Sequence, residues 1–175
     1  MECLDRLKAE VPGALRAVED RYLEEPRGRM RGQALAVVAP SSVGEVAAIL
    51  RIANDTGTPV VPISGGTGLV GGQVKSDGKP PILLTMERMS AVRNVDAMAG
   101  TMVVEAGAIL QNVHDVAEDA GWIFPLTLAS QGSARIGGLL GTNAGGVNVI
   151  RYGNTRDLVL GVEAVLADGT VINGL

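Results

Sequence analysis

Directly after the apolar pair Val60-Val61 the chain reads Pro62-Ile63-Ser64-Gly65-Gly66-Thr67-Gly68-Leu69-Val70-Gly71-Gly72, with five glycines among its last nine residues. Residues without Cβ reach φ > 0 easily and let the backbone come close to a neighbour. Ordering them costs more backbone entropy than ordering any other residue, and they bring no side chain to pack in return. Successive N–H groups turned into one concavity bind an anion without help from Lys or Arg, and this stretch contains neither. Each amide bonded to a charged oxygen contributes roughly 1.5–3 kcal/mol, so three or four would hold a diphosphate.

Three readings compete for this stretch. A P-loop ends in Gly-Lys-Ser/Thr, whereas Gly72 is followed by Gln73. Gly66-Thr67-Gly68-Leu69-Val70-Gly71 spells GxGxxG, but the dinucleotide fingerprint opens a helix. Gly71-Gly72 and Asp77-Gly78-Lys79-Pro80-Pro81 follow instead, and they exclude a helix. A glycine-rich turn without a ligand remains the plain alternative. The second segment, Gly132-Ser133-Ala134-Arg135-Ile136-Gly137-Gly138-Leu139-Leu140-Gly141-Thr142-Asn143-Ala144-Gly145-Gly146, reads as another glycine loop, anchored by Ile136, Leu139 and Leu140. Two such loops in one small domain point to a long ligand such as a dinucleotide. A side chain placed on Gly65 is expected to fill the diphosphate's space.

Composition narrows the alternatives. With 46% hydrophobic and 19% charged residues the chain has material for a real core, and its 175 residues suit one domain. It has 24 glycines, where average usage of ~7% gives about 12. A net charge of −4 and a pI near 5.0 argue against a duplex-binding surface, so no nucleic acid is expected. One Cys and one His (Cys3 and His114) exclude an intramolecular disulfide, a thiolate zinc site and paired-histidine catalysis. His114 and Cys3 read as structural and surface residues. The first turns carry Glu2, Asp5, Lys8 and Glu10, so no signal peptide is expected. Ile136–Ile150 is too short and polar to span a bilayer. A cytoplasmic protein without a transmembrane segment is the expectation.

The pattern along the chain predicts a helical segment over 4–23, broken at Pro12-Gly13, and a basic linker, Arg27-Gly28-Arg29-Met30-Arg31-Gly32. Residues 1–33 are thus an N-terminal helical segment and linker, and 34–175 the main domain. Ala34–Ala39 predicts a strand. Ser42 with Glu45 has capping-box spacing before the helical face Val43, Val46, Ala47, Leu50 and Ala53. Pro59–Ile63 is the next strand, completing a βαβ unit that favours a parallel pair. Ile82–Leu84, Ala91–Val95 and Thr101–Glu105 read as short strands, and Ala108–Ala120 as a helix with Leu110, Val113 and Ala117 inward. Leu158–Leu166 and Thr170–Ile172 flank Asp168-Gly169, a two-residue hairpin signal. The fold class is α+β, a βαβ start plus antiparallel strands. The last hairpin lacks a covering element, so the chain is expected to be the N-terminal portion of a longer protein, incomplete at its C-terminus.

Taken together, Arg29–Val38, the Pro62–Gly72 loop, Phe124-Pro125-Leu126-Thr127-Leu128, the Gly132–Gly146 segment and Arg151-Tyr152-Gly153-Asn154-Thr155-Arg156-Asp157-Leu158 resemble the PCMH-type FAD-binding domain of the vanillyl-alcohol oxidase and p-cresol methylhydroxylase flavoproteins. The similarity is greatest to the branch of D-2-hydroxyglutarate and D-lactate dehydrogenases. Gly66 and Leu139 stand where that branch commonly has Asn.

The resemblance implies that Ser64, Gly65, Gly66 and Thr67, continued by Gly68 and Leu69, wrap the FAD diphosphate after Pro62. Gly71 and Gly72 would lie beside the cofactor, and Pro125 and Leu126 would pack on its flavin half. Gly132, Ser133, Ile136, Gly137, Gly138, Thr142, Asn143, Ala144 and Gly145 would line the remainder, with Tyr152 and Gly153 closing the pocket. Covalent members carry a histidine in the first loop; here Gly66 and Thr67 occupy that region, implying non-covalent FAD. Relatives continue into a cap domain that supplies the catalytic residues and any divalent metal, so no catalytic or metal residue is assigned to this chain. The implied activity is a flavin-dependent dehydrogenase of 2-hydroxy acids, passing electrons to a partner such as electron-transfer flavoprotein or a quinone. The alternatives are a non-catalytic FAD-binding or assembly subunit and an FAD oxidase of alcohols or sugars.

Overall fold

The computed structural model describes residues 2–175. Helix α1 (Cys3–Glu10) stops at Val11, and a 3-10 turn over Pro12–Ala14 leads into β1 (Leu15–Arg16) and the one-turn helix α2 (Asp20–Leu23). The helical reading of 4–23 is corrected here. Pro12 has no N–H to give a helix ladder, and Leu15 and Arg16 instead pair antiparallel with Val38 and Val37. The basic stretch after α2 is no free linker. Glu24 and Arg31 are bridged antiparallel, and the turn closes around Glu25, only 3% exposed. The Glu25 carboxylate accepts the N–H of Arg27 at 3.0 Å and of Arg29 at 2.7 Å.

Strand β2 (Ala36–Val38), helix α3 (Val43–Asp55) and strand β3 (Val60–Ile63) form the expected βαβ unit. The Ser42 hydroxyl accepts the Glu45 N–H at 3.2 Å, the first half of a capping box. The Glu45 carboxylate reaches back to the N–H of Ser41, at 2.6 Å, rather than to that of Ser42. Strands β2 and β3 are parallel but not neighbours: β4 (Ile82–Thr85) enters between them, giving the order β1-β2-β4-β3. All four residues of β4 are buried, as a central parallel strand covered on both faces requires. One face packs Ile82 and Leu84 with Leu7, Val38, Ile49 and Ile52; the other packs Leu83 with Tyr22, Val37 and Ile63. Leu7, Val11 and Ala14 share the first of these clusters with α3, so the core runs across residue 33 without a seam.

The second half is built from β5 (Val92–Asp96) and β6 (Thr101–Val104), an antiparallel ladder, followed by α4 (Leu110–Asp119). Leu110, Val113 and Ala117 are buried as their spacing predicts. Then come α5 (Ile136–Thr142), α6 (Val149–Tyr152) and the hairpin of β7 (Glu163–Val165) and β8 (Val171–Asn173). The strand expected over 158–166 shrinks to β7, because Thr155–Leu158 form a 3-10 turn capped reciprocally by Asn154 and Asp157. The hairpin loop has three residues, Ala167 to Gly169, rather than two. Leu166 N–H bonds Thr170 O at 2.8 Å, and Gly169 takes φ +85°, the geometry of a type I turn closed by a glycine bulge. Leu110, Leu126, Ala134 and Leu139 make a third core cluster. Among the described residues no helix is long and apolar enough to cross a membrane.

Candidate functional site

The first glycine loop leaves the C-terminal end of β3 and stays irregular to Gln73, with no helix following; the absence of a dinucleotide-fingerprint helix is as the sequence predicts. Its peptide groups are sorted by polarity. Among the described residues, no backbone N–H from Gly65 to Gln73 donates to a protein acceptor. The carbonyls are treated differently. Those of Gly66 and Gly68 accept from Gln73 Nε2 at 3.2 and 3.4 Å, that of Leu69 from the Arg27 guanidinium, and that of Gly71 from Val74 N–H at 3.1 Å. Buried backbone N–H groups of folded proteins nearly all find a partner, so a run without protein acceptors, half-buried at Gly65–Thr67 and exposed at Gly68–Val70, is an electropositive surface open to acceptors. Gly66 and Gly71 have φ of +67° and +74°, left-handed values that favour glycine. Beside Gly66 and Gly72 the space a Cβ would enter is open, with no heavy atom within 4 Å.

The second segment is not a loop through its centre, which corrects the sequence reading. Ile136–Thr142 is helical, and its glycines serve close packing. A Cβ on Gly137 would sit 2.8 Å from Ala106 Cβ, and one on Gly138 would strike the Ser64 side chain. The N–H groups of Ile136 and Gly137 are taken by Ala108 O at 3.0 Å and Ala106 O at 2.8 Å. Thr142 Oγ1 turns back to Gly138 O at 3.0 Å. Asn143, at φ 51° and ψ 51°, ends the helix in the left-handed conformation, and its Oδ1 accepts the Arg156 N–H at 3.0 Å. Arg156 Nε and Nη2 cap the carbonyls of Leu140 and Gly141 at 3.0 and 2.8 Å. Sequence reasoning gave Arg156 no such role. The only signal for it is a cation placed to meet a helix C-terminus.

The remaining candidates divide between open and packed positions. Gly132 and Ser133 are exposed, with nothing within 4 Å of a Cβ on Gly132. Ala144 gives its carbonyl to Thr155 N–H and Oγ1, and a Cβ on Gly145 would lie 2.8 Å from Asn154 Oδ1. Gly153, at φ +78°, sits against Asp157. Tyr152 stays exposed, with the Arg151 guanidinium 5.3 Å from its ring centroid. Pro125 is half-buried, whereas Leu126 is 1% exposed and belongs to the core with Leu110 and Leu139. Its side chain faces that core cluster, and Pro125 is the more open of the pair. The Leu126 carbonyl meets His114 Nε2 at 2.8 Å, a structural partnership. Cys3 is buried, not a surface thiol.

Two glycines join the segments. Gly65 packs so closely on the Ser133 carbonyl that a Cβ cannot be placed there, and Gly138 does the same on Ser64. Ser64 Oγ adds a bond to Arg135 O at 3.4 Å. The stem of the loop is thus docked on the second segment, while Gly66, Gly72 and Gly132 border open space. A separate cavity of about 1090 Å³ lies between the β5–β6 ladder, α4, α5 and the β7–β8 hairpin; from the candidate residues it takes only Pro62, Ile136 and Gly137. An amide-lined, lysine-free edge with glycines facing outward fits the diphosphate of a dinucleotide better than it fits a compact apolar ligand.

Comparison with known proteins agrees with this geometry. The family model for an FAD-binding domain matches residues 34–174. The chain is 43% identical over 138 residues to a D-2-hydroxyglutarate dehydrogenase of Xanthomonas citri pv. viticola, covering 79% of this chain and 29% of that protein. It is 39% identical to the mitochondrial D-2-hydroxyglutarate dehydrogenase of Bos taurus, covering 98% of this chain and 32% of the relative. The chain therefore spans about a third of the length of these relatives. Among solved structures, an alkyldihydroxyacetonephosphate synthase superposes with a TM-score of 0.84 at 20% identity, over 98% of this chain and 34% of that one. The grass pollen allergen Phl p 4, described as having glucose dehydrogenase activity, superposes with a TM-score of 0.82 at 21% identity, over 98% of this chain and 37% of the other. The first glycine loop, the sheet that launches it and the matched span of 34–174 make this chain a member of the FAD-binding domain family.

Proposed function

We propose that this chain is the FAD-binding part of a flavin-dependent dehydrogenase of D-2-hydroxy acids, of the D-2-hydroxyglutarate or D-lactate type. The observation that carries the reading is the polarity of the Gly65–Gln73 run, in which the carbonyls of Gly66, Gly68, Leu69 and Gly71 are engaged while no N–H group donates to the protein. In the proposal these amides bind the FAD diphosphate non-covalently and offset its charge in an acidic chain. Gly66 and Gly72 keep the backbone bare where the nucleotide bridge passes, and Gly132 and Ser133 line the opposite side. Bound FAD supplies the hydride acceptor, at flavin N5, for the substrate α-carbon. The groups that hold the substrate carboxylate, any divalent metal and the proton acceptor belong to a cap domain outside these residues. The electrons then leave to electron-transfer flavoprotein or a quinone. The hydroxy-acid branch rests on identities of 34–43% to proteins named for D-2-hydroxyglutarate.

Two measurements test it. Titrating the purified chain with FAD should quench flavin fluorescence to a 1:1 end point. Anaerobic addition of D-2-hydroxyglutarate or D-lactate to the full-length protein should bleach the flavin absorbance, and the L-enantiomers should not. A full-length protein whose flavin is reduced by sugars or alcohols instead would contradict the hydroxy-acid assignment.

A further inference from the structure

The free N–H run requires something to hold its carbonyls away from the ligand side, and two side chains outside the matched glycines do so. Gln73 lies at the end of the loop and folds back under it. Its Nε2 donates to Gly66 O at 3.2 Å and Gly68 O at 3.4 Å, and its Oε1 would be 3.0 Å from a Cβ on Gly68. The second strut comes from the turn after α2. The Arg27 guanidinium donates to Leu69 O, with its Nε 3.8 Å from Glu25 Oε2, and Met30 Sδ packs on the Cα of Gly71. The Glu25 carboxylate, buried at the centre of that turn, fixes the backbone of Arg27 and Arg29. A peptide plane is rigid, so pinning a carbonyl on one side points the following N–H to the other.

We propose that Gln73 and the Glu25–Arg27 pair are positioning residues for the cofactor: by holding the carbonyls of Gly66, Gly68 and Leu69 they turn the intervening amides toward the FAD diphosphate. The inference rests on the proposed FAD reading and adds residues that no glycine motif marks. A strut of this kind does its work before the ligand arrives, and its removal is felt in affinity more than in folding, because the loop is half-exposed and contributes little to the core.

The test uses the 175-residue chain and three variants: Gln73→Leu, which keeps bulk and removes the donor; Gln73→Glu, which sets a carboxylate against two carbonyl oxygens; and Arg27→Leu, which removes the other strut. FAD affinity is read by flavin fluorescence, loop conformation by the 1H–15N resonances of Thr67, Leu69 and Val70 without ligand, and stability by the thermal midpoint of the ligand-free chain. Gln73→Leu and Arg27→Leu should each weaken FAD about tenfold, the worth of two weak neutral hydrogen bonds or of one exposed charged one. Gln73→Glu should weaken it further. The Thr67 and Leu69 resonances in the Gln73 variants, and that of Val70 in Arg27→Leu, should move while the midpoint stays within a few degrees of wild type. Variants that bind FAD as wild type does, or that lose affinity only in proportion to lost folded protein, overturn the positioning role and leave the FAD reading standing. A folded wild-type chain with no affinity for FAD overturns that reading, and this inference with it.

Discussion

Gly138 of α5 rests its Cα directly on the side chain of Ser64, leaving no room for a Cβ on the helix. This contact, repeated by Gly65 on Ser133, sets the distance between the stem of the first glycine loop and the second segment. Gly138→Ala should destabilise the chain by about 1–3 kcal/mol, the usual penalty of overpacking, although alanine is the better helix former. Because the obstruction includes Ser64 Cβ, rotation of the hydroxyl cannot relieve it. Ser64→Gly in the same chain should restore much of the loss. Urea unfolding of the two single variants and the double variant measures this coupling; purely additive effects would show that the two residues do not meet.

Glycines at the loop fall into two classes, and substitution should separate them. Gly65→Val strikes the Ser133 carbonyl, so it should lower stability as well as FAD binding. This corrects the simpler expectation that its side chain would only fill ligand space. Gly72→Val and Gly132→Val enter open space. They should leave the ligand-free midpoint near wild type while lowering FAD affinity by about tenfold or more, since a bulky group meets the nucleotide without meeting the protein. Fluorescence titration beside thermal denaturation checks both halves of the statement.

The flavin should come away intact on acid precipitation. The chain's single histidine is partnered with Leu126 O at 2.8 Å, and the first loop presents neither histidine nor cysteine. FAD that remains with the precipitate would refute non-covalent binding.

Glu25 gives the turn after α2 a pH dependence. The N–H groups of Arg27 and then Arg29 bond its carboxylate and hold its pKa below the ordinary glutamate value. A carboxylate depressed in the folded state stabilises above its unfolded pKa and loses that contribution as pH falls through the folded one. The advantage of wild type over Glu25→Gln should therefore be complete at pH 7 and shrink below the ordinary glutamate range, about 4.3. Midpoints of the two proteins between neutral and acid pH provide the measurement; a constant difference would show that the charge of Glu25 is not used.

Much of the fold was readable from local pattern. The Ser42 cap of α3, the buried positions of α4 and the all-apolar Ile82–Leu84 follow from period and turn chemistry; of the face expected for α3, Val46, Ala47 and Ala53 are buried, while Val43 and Leu50 are half-buried and the fully buried Ile49 and Ile52 lay outside it. What escaped was set at long range. Nothing local says that β4 enters between β2 and β3, or that Leu15–Arg16 pair with β2. Helix α5 was hidden because three of its seven residues are glycine, and glycine reads as a breaker unless the neighbours it must approach are known; here those are Ala106 and Ser64. In the candidate site the glycine run was visible and its carbonyl struts were not. Gln73 and Arg27 bond backbone atoms, and such partners leave no pattern in a sequence.

The most direct trial of the account is to follow the backbone 1H–15N resonances of the whole chain as FAD is added. The free amides from Gly65 to Gln73 should show the largest shifts, with Gly132 and Ser133 next and the β5–β6 ladder little changed. If the Gly65–Gln73 amides stay where they are while residues around the 1090 Å³ cavity move instead, the diphosphate is held elsewhere and the assignment of this loop is wrong.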